Sequence, residues 1–143
     1  MPHITPNFDR DEFRCRGKNC CGHSAPIALQ LVEALQQLRD LLSHQKGSPV
    51  PIFITSGFRC ITHDLNEARD RGATPEQLSV RSSQHCLGLA ADIIAPAVGP
   101  DILAQTAKCI HAFQDGGIGR YTGSRHAMVH LDIRPDGPAR WTD

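Results

Sequence analysis

The sequence predicts an α+β domain, a small antiparallel sheet with helices packed on one face. Three observations carry this. A long helical stripe begins near Ile27, two strand-like runs follow a Gly-Gly turn at residues 115–117, and the stretch between alternates helix-like with strand-like segments.

Taken in order, residues 1–26 form an irregular lead broken by Pro2, Pro6, Gly17, Gly22 and Pro26, with Phe8 and Phe13 as apolar anchors. Ile27, Leu31, Leu35, Leu38 and Leu42 then recur at helical spacing, with Gln30, Glu33, Gln37 and Arg39 on the other faces. This is an amphipathic helix of about four turns. Ser24 before Pro26 suits its start, and Gly47 followed by Pro49 its end. Residues 50–55 (VPIFIT) are strand-prone and are stopped by Ser56-Gly57.

Residues 61–79 are polar, with weak helical character over 62–71. Residues 87–95 (LGLAADIIA) read as a buried strand. Residues 101–113 carry Ile102, Leu103, Ile110 and Phe113 at helical spacing and read as one helix. Residues 118–121 and 127–134 (AMVHLDIR) read as an antiparallel strand pair, and the tail after Pro135 as a surface extension. The length of 143 residues suits one domain, 1–143, with 1–26 as a Cys/His-containing segment packed on it.

Composition narrows the function. Lys plus Arg equals Asp plus Glu at 15 each, so no global charge points to nucleic acid or to an anionic membrane. No apolar run approaches a membrane span. The first residues carry neither a basic region nor an apolar one of the kind that directs secretion, so the chain is expected to be made as a soluble cytoplasmic protein. An extracellular substrate would then be reached through a secretion apparatus or lysis. Six cysteines and eight histidines are many for such a protein, and Cys15, Cys20, Cys21 and His23 crowd into one short stretch. Such clusters are more often metal-binding or redox-active than structural disulfides in the cytosol.

The most informative stretch is Ser83-Gln84-His85-Cys86-Leu87-Gly88-Leu89-Ala90-Ala91-Asp92. An ionised carboxylate inside LAADIIA is costly unless a cation or hydrogen-bond donors compensate it. A divalent metal shared with His85 is one compensation; an arginine partner for Asp92, with His85 at the surface, is the other. In VHLDIR, strand alternation puts Val129, Leu131 and Ile133 on one face and His130, Asp132 and Arg134 on the other. The Cα atoms of His130 and Asp132 would then lie roughly 6.5–7 Å apart, close enough to serve one site. Taken alone, that hexapeptide better suits a solvated strand face with an Asp–Arg pair. Combined, His85, Asp92 and His130 supply the three N/O ligands that a catalytic zinc needs while leaving a position for water.

SSQHCLGLAAD resembles the Ser-x-His-x-x-Gly-x-Ala-x-Asp signature of the zinc D-alanyl-D-alanine carboxypeptidase and murein endopeptidase family, whose fold is hedgehog-like. Ser83, His85, Gly88, Ala90 and Asp92 match every fixed position. The later HLD resembles the segment that gives that family's third ligand, and Thr55-Ser56-Gly57-Phe58-Arg59 its strand-end turn. NFDRDEFRC and the following helix resemble a small branch that includes phage lytic enzymes.

The resemblance implies a zinc held by His85, Asp92 and His130, with Arg59 and Ser83 holding the substrate, a peptidoglycan stem peptide. It leaves the general base open. Relatives carry an acid three residues before the last histidine or a histidine two before it; here those positions are Ala127 and Met128. Asp132 is the first candidate and His126 the second, while Asp132 equally suits orienting a ligand histidine. Cys15, Cys20 and Cys21 with His23, and with Cys60 able to join them, suit a second, structural zinc; a disulfide between the lead and Cys60 is the other reading. Cys86 reads as packed rather than reactive.

The expected activity is therefore peptide-bond hydrolysis in peptidoglycan by a monomer using metal-activated water, of carboxypeptidase or endopeptidase type. A non-catalytic zinc-binding wall or phage-tail module of the same fold is the alternative, favoured by the empty base positions. A nucleic-acid-binding zinc element is disfavoured by the neutral charge and few aromatic residues.

Overall fold

The computed structural model describes residues 3–123 and 127–143. A two-stranded ribbon, β1 (His3–Thr5) and β2 (Phe8–Asp9), leads through a 3-10 turn at Arg10–Phe13 and a long loop into helix α1 (Leu29–Lys46). Then come β3 (Phe53–Ser56), α2 (Ile61–Asp70), α3 (Pro75–Ser79), a 3-10 turn at Gln84–Leu87, β4 (Ala90–Ile94), α4 (Gly99–Ala107) and α5 (His111–Gln114). The strands β5 (Gly117–Tyr121), β6 (Met128–Asp132) and β7 (Ala139–Thr142) follow. The main sheet has the order β3-β4-β6-β5-β7. The class is α+β, as the sequence predicts.

The expected stripe is the buried face of α1: Leu31, Leu35, Leu38 and Leu42 have almost no exposure. With α4 and α5 they cover one side of the sheet, where Ile93, Ile118, Val129 and Leu131 complete the core. The start of α1 differs from expectation. Its cap residue is Ala28, whose N–H donates to the Gly88 carbonyl at 2.9 Å, while the Ser24 hydroxyl donates to the Cys21 carbonyl at 3.0 Å. A neighbouring loop therefore satisfies the helix entrance, and Ser24 belongs to the cysteine turn. Gly47 ends the helix in the left-handed region, as expected.

Three boundaries change for physical reasons. The stretch 101–113 is two helices, because Cys109 and Ile110 donate to Thr106 and Ala107 in a tight turn; Leu103, Ala107, Ile110 and Phe113 stay buried across the break, so the apolar stripe does not reveal it. The start of the expected strand 87–95 is the end of a 3-10 turn. Gly88 closes that turn at φ 71°, and a Cβ there would lie 2.6 Å from the Pro26 carbonyl oxygen. Finally, the tail is not a surface extension. Residues 139–142 form β7, parallel to β5, with Trp141 opposite Gly119. A four-residue strand alternating half-buried with exposed positions carries too little apolar periodicity to announce itself.

Candidate metal centre

The face of the sheet turned away from the helical core carries the chemistry. In register, Ser56 lies opposite Asp92, Asp92 opposite His130, His130 opposite Gly119, and Gly119 opposite Trp141. One row thus crosses all five strands. The second histidine enters from outside the sheet: the 3-10 turn begins at Ser83, whose hydroxyl accepts from the His85 N–H at 3.3 Å, and it brings His85 over β4.

His85, Asp92 and His130 each offer an atom within 4.8 Å of the others. Asp92 Oδ1 is the shared point, 3.0 Å from His130 Nδ1 and 3.4 Å from His85 Nε2. Each imidazole is anchored through its other nitrogen. His85 Nδ1 donates to the Gly57 carbonyl at 2.7 Å, and His130 Nε2 lies 2.7 Å from Asp132 Oδ2. Outer nitrogens tied in this way fix the ring orientation and direct the inner nitrogens at one point, which is what metal-ligating histidines require. The donor set of two imidazoles and one carboxylate fits zinc.

Burial raises the cost of ionising Asp92, yet hydrogen bonds with His130 and His85 pull its carboxyl well below the usual carboxylate range. For His130, burial acts to lower the pKa, but the Asp132 and Asp92 carboxylates outweigh it and raise the imidazole above its ordinary value. His130 thus bridges two carboxylates through its two ring nitrogens, Nδ1 toward Asp92 and Nε2 toward Asp132.

Asp132 has no exposed surface. Its Oδ1 accepts from the backbone N–H of Gly117 at 2.8 Å, the backbone N–H of Arg134 at 3.1 Å and Arg134 Nε at 2.9 Å. Its Oδ2 accepts from Arg134 Nη2 at 2.6 Å in addition to His130. Arg59 is anchored as firmly. It is only 6 % exposed, donating to Ser56 Oγ at 3.0 Å, Asp64 Oδ1 at 3.2 Å and Asp92 Oδ2 at 3.0 Å. These use three of the five guanidinium N–H groups, and Arg59 still lines the cleft. Ser83 also lines it, while capping the His85 turn. His126 lies outside the described residues.

The cleft has a volume of about 570 Å³ and contains Arg59, Arg71, Arg81 and Arg134 together with His85, Asp92 and His130. Several of its supports were not singled out from the sequence. Buried Asp64 takes both Arg59 and a forked bond from Arg81, at 2.6 and 3.2 Å. Trp141 packs on His130 with ring centroids 5.1 Å apart, and its Nε1 donates to the Tyr121 hydroxyl at 2.7 Å. The one available signal was the lone tryptophan itself, a large amphipathic residue in an otherwise polar tail.

The Peptidase M15 family model matches residues 6–132. The chain belongs to the Peptidase M15 family. M15 peptidases use zinc, and the His85–Asp92–His130 group is the candidate zinc site of this M15 chain. No curated protein matches it. The family match ends at the last residue of β6, so β7 and the Trp141 wall of this M15 peptidase lie beyond the matched region.

Gly119→Ala tests that wall. A Cβ at residue 119 would lie 2.3 Å from Trp141 Nε1, so the ring must leave its place over His130. Overpacking of this kind costs about 1–3 kcal/mol. With a single tryptophan in the chain, a shift of the emission maximum on substitution reports the displacement directly; an unchanged spectrum would show that the ring is not held there.

Proposed function

We propose that this zinc-peptidase-family chain hydrolyses a short peptide bond in peptidoglycan, with His85, Asp92 and His130 holding the zinc. The supporting observation is the convergence of these three side chains in a cleft bordered by guanidinium groups. Stem peptides are short and carry free carboxylates, which arginines recognise through charge and forked hydrogen bonds. Arg71, exposed at the cleft and outside every ion pair among the described residues, suits the terminal or side-chain carboxylate. Arg59, held against Asp92, has two N–H groups left for the carbonyl of the scissile bond.

Bound zinc supplies a water of pKa lowered towards about 7 and polarises the carbonyl. Gly57 and Asp132 fix the two histidine rings, Arg59 fixes Asp92, and Trp141 shields one side of His130 from solvent. Asp132 is read here as the residue that orients His130, since its oxygens already take five hydrogen bonds in a fully buried position. Asp136 is the exposed carboxylate among the described cleft residues and the better candidate to accept the water's proton.

Purified sacculi incubated with zinc-loaded protein are expected to release muropeptide fragments. Release is expected to cease with a chelator and with His85→Ala, and to fall about 10²–10⁴-fold with Asp136→Asn if Asp136 is the base. The fragment masses distinguish a carboxypeptidase, which removes a terminal residue, from an endopeptidase, which opens a cross-link. Zinc-loaded protein that binds sacculi and releases nothing from any wall chemistry would favour the non-catalytic wall-binding reading instead.

A further inference from the structure

A second cluster of metal-ligating side chains lies outside the cleft. The thiols of Cys15, Cys20, Cys21 and Cys60 all approach within 4.8 Å of one another, and Cys15 Sγ is 4.0 Å from Cys20 Sγ. A tetrahedral zinc with Zn–S bonds of about 2.3 Å has sulfur–sulfur edges of roughly 3.8 Å. The cysteines come from two distant places: three from the loop after the first 3-10 turn, and Cys60 from the cap of α2. His23, grouped with the three cysteines by sequence, is turned away, with its Nδ1 2.8 Å from the Cys15 carbonyl oxygen.

Packing alone does not account for this convergence. One disulfide would use two of the thiols and leave the other two crowded against it. Backbone N–H groups reach two of the sulfurs. The backbone N–H of Cys60 donates to Cys15 Sγ at 3.5 Å, and that of His63 to Cys60 Sγ at 3.4 Å. The second bond places Cys60 sulfur at the N-terminus of a ten-residue helix, where the exposed N–H groups and the helix dipole stabilise negative charge. The loop wraps the cluster through three left-handed residues, Asn19, Gly22 and His23. It also needs a staple: between Cys15 and Pro26, only Cys15 and Gly17 are buried.

We propose that Cys15, Cys20, Cys21 and Cys60 form a structural tetrathiolate zinc site, separate from the cleft. Binding releases the four thiol protons to solvent and closes the N-terminal loop onto the turn that carries Arg59. The site would hold that turn from behind: Phe58 N–H donates to the Phe13 carbonyl at 2.9 Å, Gly57 accepts from His85, and Arg59 reaches Asp92. Its role is structural positioning, with no contact to substrate.

The test is metal counting and spectroscopy on the full chain purified without chelators under thiol-protecting conditions. Two zinc ions per chain are expected, one for each group. His85→Ala is expected to retain one of them, and Cys20→Ser with Cys60→Ser to retain the other. Cobalt exchanged into His85→Ala is expected to show an intense thiolate-to-cobalt charge-transfer band and tetrahedral visible bands, unchanged by Cys109→Ser. This arm needs no cysteine of the cluster to be altered, so it stands even where the double variant fails to fold. A single zinc lost entirely in His85→Ala, four freely reactive thiols, or an intact mass showing a disulfide in the cluster would each overturn the proposal. Loss of murein hydrolysis with both metals in place would bear only on the cleft.

Discussion

Asp92→Ala is expected to abolish zinc binding at the cleft and to destabilise the protein by about 3–5 kcal/mol, the usual cost of removing one partner from a buried charge pair. Asp92 is 3 % exposed and sits between Arg59 and the two histidines. Its loss leaves a buried guanidinium facing His85 and His130 with only Asp64 to balance it. Chemical denaturation of the metal-free proteins reads the stability change, and zinc stoichiometry reads the site. A variant as stable as the parent that still binds zinc at the cleft would remove Asp92 from the centre of the site.

The same groups set a pH dependence in metal-free protein. The Asp92 and Asp132 carboxyls are held below their ordinary values, by His130 and His85 in the first case and by Arg134 and His130 in the second, against the opposing effect of burial. Their contribution is complete above the unfolded carboxylate pKa of about 3.9 and is lost as pH falls through the lower folded values. His130 is raised, so its contribution is complete below about 6.5 and is lost as pH rises through its folded value. Metal-free protein is therefore expected to be most stable between about pH 4 and 6.5. Zinc, which requires neutral His130, is expected to move the optimum upward; denaturation midpoints measured with and without zinc across pH check both limbs.

Asp132→Asn is the second large effect and decides between two roles. As the residue that orients His130, Asp132 is expected to govern metal affinity, which should fall about 10–100-fold, the usual range for partners of ligand histidines. Turnover at saturating zinc should change little. As a general base it would instead lower kcat about 10²–10⁴-fold with zinc affinity intact. Zinc titration beside kcat at saturating metal separates the two. The saturation of its oxygens by Gly117, Arg134 and His130 favours the first outcome.

Much of this was legible in the sequence where one residue had to satisfy two constraints at once. Asp92 stood out because a carboxylate interrupts an apolar strand, and His130 because alternation places it away from Val129 and Leu131; both lie in one row of the sheet. The α1 stripe was legible because an 18-residue helix repeats its pattern over several turns. What escaped was set by partners distant in the chain. Arg59 could be placed at the site but not sunk beneath it, because Asp64 and Asp92 hold it there and neither contact leaves a local pattern. Trp141 could not be placed because β7 is short and its position depends on a glycine on another strand. His23 sits beside the three cysteines in sequence, yet the return of the chain after β3 brings Cys60 to them instead.

The row running from Ser56 through Asp92, His130 and Gly119 to Trp141 has a consequence for assembly. Side chains alternate between faces along a strand, so a slip of β6 by one residue would turn His130 into the helical core and Val129 into the cleft. A sheet paired in that way could not hold the ion. Cation binding thus selects one pairing among those the strands could sample, at about 2.7 kcal/mol when free metal is a hundredfold above Kd. On the proposed reading, an ion held by His85, Asp92 and His130 would also serve as a checkpoint on the folding of the sheet beneath it.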